Sequence, residues 1–339
     1  MLLSKAYVIV FTKTIVPYLI ACENTFIHLA WLTVLSASGG RNDTIEPTRK
    51  AVAAILYLTQ FFFPDEDAEW HFFIDLKKKT YNTYYPFQVL PDKGLTQLDC
   101  APITILNGGN GSGKTTVLNI IAEKLKLHRE APYNRTNFYQ DYLKRTDATT
   151  VGRVPKTSAI ITSDDVFDYM LTIREANAGI DRQRDHLENE YLETKHARFQ
   201  FNGPEDYDQL KAILETRSKT QSRYIRDHLM RNLTEGSNGE SAMAYFTDRI
   251  KENGLYLLDE PENSLSPQKQ TELVKFINDS ARFFNCQFII ATHSPFILAM
   301  PEAKIYDMDT VPVAVKKWTE LPEVRAYYDF FHQHTKEFE

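Results

Sequence analysis

The chain has 339 residues, 43% hydrophobic and 25% charged, with a net charge of −6. That length suffices for one large domain or two small ones, and the balance is that of a folded soluble protein. The negative charge gives no global nucleic-acid footprint, and Cys22, Cys100 and Cys286 are too far apart for a disulfide framework or a metal cluster; they read as reduced thiols of a cytoplasmic protein.

Residues 1–45 read as a hydrophobic N-terminal extension, with no Lys or Arg from Thr14 to Gly40. A membrane helix is conceivable there, but Glu23 and Asn24 interrupt the run, and an acid at mid-membrane costs about 2–3 kcal/mol. The competing readings are an upstream extension from a misassigned start and a helix packed on the body. A membrane association is therefore expected only if this segment inserts. Residues 46–339 then form the main domain. Within it, residues 47–63 (PTRKAVAAILYLTQFFF) predict a helix and 64–69 an acidic break. Residues 70–77 and 83–90 predict strands of an antiparallel edge sheet, with Tyr81, Tyr84 and Tyr85 clustered there.

A short buried strand is predicted at residues 103–107 (ITILN), followed by GGNGSGKTT at 108–116 and a helix over 115–125. The pattern G-x-x-x-x-G-K-[ST] is met by Gly108, Gly113, Lys114 and Thr115. A triphosphate needs many donors at close range, and a loop poor in Cβ atoms lets backbone N–H groups approach it. The loop residues Gly108, Gly109, Asn110, Gly111, Ser112, Gly113, Lys114, Thr115 and Thr116 are therefore candidate ATP contacts, with the following helix pointing its positive end at the phosphates. Lys114 would reach the β- and γ-phosphates and the Thr115 hydroxyl would ligate Mg²⁺. An exported chain would lose its ATP supply, which argues against cleavage of the N-terminal segment as a signal peptide.

Residues 125–155 predict a polar loop with a short helix, and 158–162 a strand. A strongly charged helical subdomain spans about 164–233, broken into a hairpin by Phe201-Asn202-Gly203-Pro204. Its basic residues Lys219, Arg223, Arg226 and Arg231 could face nucleic acid or a partner, although a solvated face explains them as well. Next, Leu255-Tyr256-Leu257-Leu258 has the apolar continuity of a strand buried on both faces, and it ends in Asp259-Glu260. Adjacent carboxylates at a buried strand end are costly unless a cation or substrate uses them. If the strand geometry persists they point to opposite faces, so Asp259 would hold Mg²⁺ and Glu260 would orient and deprotonate the attacking water. A second apolar strand over 287–291 ends in Thr292-His293-Ser294-Pro295. Ligands collect at the carboxyl ends of parallel strands, so His293 is a candidate contact for the γ-phosphate or the water. A short helix from 296, a strand over 304–308 and an aromatic-rich helix over 320–334 complete the chain.

These stretches, with GSNGES at 236–241, resemble the ABC-type ATPases, in the soluble branch that includes SMC-like and DNA-repair ATPases and compact bacterial AAA-family ATPases often associated with defence. The resemblance covers roughly residue 70 to the C-terminus. It implies an α/β fold: a P-loop NTPase with an ABC-type nucleotide-binding core, an antiparallel edge sheet and a helical subdomain. It implies that Ser237-Asn238-Gly239-Glu240 stands for a signature usually Ser-Gly-Gly-Gln, whose Ser237 and Gly239 complete the ATP site of a second protomer. Ser264-Leu265-Ser266 would touch that partner, and His293 would be the switch histidine. Hydrolysis then requires a homodimer with composite ATP sites, coupled to a protein effector or nucleic acid. Two positions depart from the pattern: Asn238 replaces a Gly, and Glu240 would add negative charge near the γ-phosphate. The family's magnesium-linked glutamine is not evident; Ser163 or Asp164 stands where it is expected. Tyr84 or Tyr85 is a candidate to stack on adenine. Two further readings stay open, a nucleotide-gated regulatory module with little turnover and a transporter ATP-binding subunit.

Overall fold

The computed structural model describes residues 56–76, 81–196, 203, 206–230 and 237–338. The extension at 1–45, and the part of the expected 47–63 helix that precedes Leu56, lie outside them. Two sheets organise the rest. Strands β3 (Ile103–Asn107), β5 (Ala159–Thr162), β6 (Gly254–Asp259), β7 (Cys286–Ala291), β8 (Lys304–Asp307) and β9 (Ala314–Lys316) form one sheet in the order β5-β6-β7-β3-β8-β9. It is parallel except for the β8–β9 pair. Strands β1 (Leu58–Phe62), β2 (Gln97–Asp99) and β4 (Asp147–Thr150) form an antiparallel sheet with β1 in the middle.

Every residue of β3, β6 and β7 is buried, as expected of central strands covered on both faces. Alternate residues feed two cores. Leu106, Leu255, Leu257, Ile289 and Ala291 pack toward helix α2 (Lys114–Leu125) and the antiparallel sheet. Ile105, Tyr256, Leu258, Phe288 and Ile290 pack toward α7 (Asn238–Arg249) and α8 (Pro267–Phe283). The two sheets are joined by Gln287, which is fully buried and fully bonded. Its Oε1 accepts from the Tyr57 and Leu58 N–H groups at 2.8 and 2.9 Å, and its Nε2 donates to the Leu58 and Ala101 carbonyls at 2.7 and 3.2 Å.

The antiparallel sheet exists but is built from other residues than expected. Residues 70–75 lie in helix α1 (Glu66–Asp75), not in a strand. Its N-cap is Asp65, which accepts from the Ala68 N–H at 2.8 Å, so the acidic break is a helix start with three acids in its first turn. Residues 81–90 form turns over the phosphate loop. The helix expected up to residue 63 is β1 at its described end, because a short apolar run carries no decisive period. The polar loop at 125–155 contains the expected short helix, α3 (Tyr139–Leu143), and also the unanticipated edge strand β4.

Helices α4 (Ser163–His196), α5 (Tyr207–Ser218) and α6 (Gln221–His228) form the charged helical region. Tyr191 ties them, donating to the Lys219 carbonyl at 2.9 Å and packing its ring on Tyr224. Lys219 is held between Glu215 and Asp227 at 2.9 and 2.7 Å, so it belongs to this region's own ion pairs. Arg231 lies outside the described residues. The expected last two helices appear as α9 (Pro295–Leu298) and α10 (Pro322–Gln333). Among the described residues no helix is long and apolar enough to cross a membrane.

Helix α1 also carries a buried acid. Glu69 is 4% exposed; its Oε2 accepts from the Gln88 N–H at 2.8 Å and its Oε1 has no partner. Burial, aided by Asp92, pushes its carboxyl up to about 7 against the Gln88 hydrogen bond. A raised folded-state value means stability is lost as pH rises from the ordinary carboxylate range through 7. Glu69→Gln should therefore match the wild type near pH 4 and exceed it by about 2–3 kcal/mol at pH 8, several degrees in Tm, in thermal melts across that range.

Candidate functional site

The phosphate loop leaves the buried end of β3 and enters α2. Gly108, Gly111 and Gly113 all have positive φ, at 152°, 81° and 97°. A Cβ on Gly108 would stand 2.9 Å from Ser112 Oγ and 3.0 Å from Met308 Cβ, so the close turn requires glycine there. Gly113 caps α2 in the left-handed conformation, and the first turn of α2 carries no acid. Ser112 Oγ is buried and unpartnered beneath the loop. Asp309, in the turn after β8, accepts from the Gly109 N–H at 2.7 Å and braces the loop from outside.

Lys114 is buried and directed back along the loop. Its Nζ donates to the Gly108 carbonyl and to the Gly109 carbonyl at 3.1 Å, and lies 3.1 Å from His293 Nε2. Burial lowers its basicity, opposed by Glu260, Asp259, Asp309 and Glu323. An ammonium only donates, so His293 Nε2 accepts in this arrangement.

The acidic pair separates as expected, by a different route. Asp259 ends β6, 8% exposed, and accepts from Thr115 Oγ1 at 3.2 Å. Burial pushes its carboxyl up to about 6, against Thr115 and Lys114 and with Glu260 and Glu262. Glu260 does not continue the strand. It takes a left-handed φ of 48°, with its N–H on the Ala291 carbonyl at 2.9 Å. That turn, rather than strand alternation, carries its carboxylate to 3.4 Å from His293 Nε2, where Asn263 Nδ2 also donates to it at 2.9 Å. Since Nε2 is engaged as an acceptor by Lys114, its contact with Glu260 shares no proton in this arrangement.

His293 is set by the loop after β7. Glu262 Oε1, not anticipated from sequence, accepts from Thr292 Oγ1 at 2.6 Å, from the His293 N–H at 2.7 Å and from the Ser294 N–H at 3.2 Å. Ser294 caps α9 and donates to Gln270 Oε1 at 2.6 Å.

Ser237 and Gly239 stand apart from this cluster. Ser237 caps α7 in a capping box: its Oγ accepts from the Glu240 N–H at 3.3 Å, and the Glu240 carboxylate accepts from the Ser237 N–H at 2.7 Å. The Glu240 carboxylate closes its own helix end, and the bonds to Ser237 hold its pKa below the ordinary range, so the negative charge expected at this position is kept and is engaged with the start of α7. Asn238 Oδ1 accepts from Arg174 at 2.7 Å. A Cβ on Gly239 would meet Lys269 Cγ at 3.3 Å and the Ser264 carbonyl at 3.8 Å, so the α7 N-terminus lies against the loop after β6.

Ser163 and Asp164 open α4, while the buried neighbour Asp165 binds. It accepts from Thr162 N–H and Oγ1 at 2.6 and 2.8 Å and from the Ala131 N–H at 2.7 Å. Tyr85 Oη reaches Thr116 Oγ1 at 3.2 Å, whereas Tyr84 packs among Phe73, Tyr81 and Phe138.

The donor set fits a nucleotide with Mg²⁺. The glycine cradle excludes Cβ atoms, and a buried carboxylate faces a hydroxyl. No group of three or more His, Cys, Asp or Glu that could hold a metal occurs among the described residues. Fold and site together define an α/β P-loop domain of the ATPase type. Residues 146–299 match the family model described as "AAA domain, putative AbiEii toxin, Type IV TA system".

Among the solved structures similar to this chain, three illustrate the likeness. One is the Smc head domain of Pyrococcus furiosus, with an extended coiled coil, bound to the C-terminal domain of ScpA (12% identity, 70% of this chain, 95% of that one, TM-score 0.35). Another is an ATP-binding cassette in a dimeric post-hydrolysis state with ADP and Pi (13% identity, 66% and 90%, TM-score 0.30). A third is described as a metal-chelate type ABC transporter in an inward-facing conformation (17% identity, 67% and 76%, TM-score 0.31). No curated protein matches the sequence.

Lys114→Ala removes the buried cation from the cradle and should weaken binding of a fluorescent ATP analogue by at least about 100-fold, as expected for loss of a charge-assisted contact to phosphate. Wild-type affinity in that variant would remove Lys114 from the site.

Proposed function

We propose that this domain binds and hydrolyses ATP with Mg²⁺, acts as a homodimer, and couples ATP-driven closure to a protein effector or a nucleic acid. The observation that carries the reading is the convergence of Lys114, His293 and Glu260 within 3.4 Å beside the Thr115–Asp259 pair. Lys114 exchanges its carbonyl partners for the β- and γ-phosphates, and N–H groups of the loop from Gly109 to Thr116 cradle them. Thr115 and Asp259 would hold Mg²⁺, which when bound would offset phosphate charge. With Lys114 drawn to phosphate, His293 Nε2 is released to accept from the attacking water, whose proton Glu260 takes, or, in the tautomer that carries its proton on Nε2, to donate to the γ-phosphate.

Dimer action is supported by the placement of the α7 N-terminus. Ser237 is exposed, and among the described residues no hydrogen bond joins it to the phosphate loop of its own chain. In this reading Ser237 and Gly239 close on the nucleotide of the other protomer. A cytoplasmic location is supported by the need for ATP and by the free thiols of Cys100 and Cys286.

Glu260→Gln keeps size and removes the base. It should lower kcat by about 10²–10⁴-fold, leave ATP affinity within a few-fold, and accumulate as an ATP-bound dimer in light scattering. Near-normal turnover in this variant would show that Glu260 is not the base, whereas negligible turnover of the wild type itself would favour the regulatory module. Ser237→Arg alone should lose ATPase yet bind nucleotide. Mixed with Lys114→Ala, it should recover part of the activity through one composite site per heterodimer, read in a steady-state assay of the mixture. Full activity of Ser237→Arg as a monomer would refute the shared site.

A further inference from the structure

We propose that Glu262 is a positioning residue for His293, through which the loop between β6 and α8 sets the switch histidine. The inference rests on the hydrolysis reading above for its consequence, but on geometry for its content. One carboxylate oxygen, Glu262 Oε1, collects three donors from consecutive residues of the histidine loop: Thr292 Oγ1, the His293 N–H and the Ser294 N–H, at 2.6, 2.7 and 3.2 Å. Hydrogen bonds to an ionised acceptor are the strong ones, and three on one oxygen fix the backbone on both sides of His293. The other oxygen, Oε2, is buried and unpartnered, so the whole bonding role of this side chain falls on that loop.

The remainder of the β6–α8 loop grips the site's other parts. Asn263 donates to Glu260 at 2.9 Å and the Ser264 carbonyl lies against Gly239 at the α7 N-terminus, while Gln270, in the first turn of α8, accepts from Ser294. A shift of this loop, such as one imposed at the α7 N-terminus, therefore moves His293 and Glu260 together. Glu262 touches neither Lys114 nor the phosphate loop by any hydrogen bond among the described residues. Its loss should leave the cradle intact and misplace the catalytic pair.

The test combines kinetics with a signal from the imidazole itself. Glu262→Ala should lower kcat on the order of 10²-fold, the scale of a misplaced reacting group, with KM and the dissociation constant of a fluorescent ATP analogue within about 3-fold. Glu262→Gln retains a carbonyl oxygen for the same three donors and should restore most of kcat. Thr292→Val removes one of the three donors to Glu262, together with the hydroxyl that accepts from the Ser294 N–H at 3.0 Å, at nearly constant volume, and should lower kcat by a lesser factor even if the alanine variant folds poorly. In ¹H–¹³C spectra of histidine-labelled protein without nucleotide, the His293 ring signal is identified by its loss in His293→Ala. It should move in Glu262→Ala and Thr292→Val and return in Glu262→Gln. An unmoved ring signal, unchanged kcat in Glu262→Ala, or equal losses of kcat and binding would overturn the assignment. If the wild type itself does not turn over ATP, the hydrolysis reading fails, and the ring signal, which needs no turnover, still decides whether Glu262 positions His293.

Discussion

The parallel registry of β3, β7 and β6 is the constraint on which the site depends. Leu106 and Asp259 both pair with Ala291, so the chain leaves all three buried strands at the same level. The phosphate loop, the acidic turn and the histidine loop are then neighbours by construction, although they are separated by up to about 180 residues. A slip of one residue in β6 would move Leu255 and Leu257 from one core to the other and carry Asp259 away from Thr115. The apolar alternation that fills two cores is thus also what aligns the chemistry.

Electrostatics at that edge is dominated by burial, which outweighs the mutual attraction of Lys114 and the acidic pair. Asp259 is buried with a hydroxyl and a distant ammonium for company, and burial makes its carboxyl weakly acidic. Lys114 is likewise made less basic by burial, and turns to carbonyls of its own loop. Each group is held in a state that a cation or a phosphate would relieve. Glu260 adds a left-handed backbone, a conformation that non-glycine residues adopt at a cost and that clusters at functional sites. These are features of a pre-formed site rather than of a stability-optimised edge.

The departures from the family pattern acquire structural meaning. Glu240 and Ser237 make a reciprocal capping box, so the glutamate in place of glutamine satisfies two N–H groups at the start of α7. Asn238 binds Arg174 of α4 and thereby links the start of α7 to the long charged helix. In the charged helical region Lys219 is neutralised internally by Glu215 and Asp227, which fits the reading of its basic residues as a solvated face rather than a binding one.

By itself the sequence determined the phosphate loop, the acidic strand end, the histidine and the α/β class. Each of these is written in adjacent residues: glycine where a Cβ cannot fit, a run of apolar residues for a doubly covered strand, carboxylates where burial penalises them. It determined less well the antiparallel sheet, because short apolar runs such as that of β1 have no decisive period and the acids after Pro64 read as a break rather than as the N-terminus of α1. Only the tertiary structure decided which distant groups meet. Glu262 lies 30 residues before the loop it holds, Gln287 joins β1 from about 230 residues away, and Asp309 braces a glycine 200 residues earlier. Such pairings follow from strand order and registry, which no local pattern encodes, because a hydrogen bond depends on where two segments come to rest and not on their spacing along the chain.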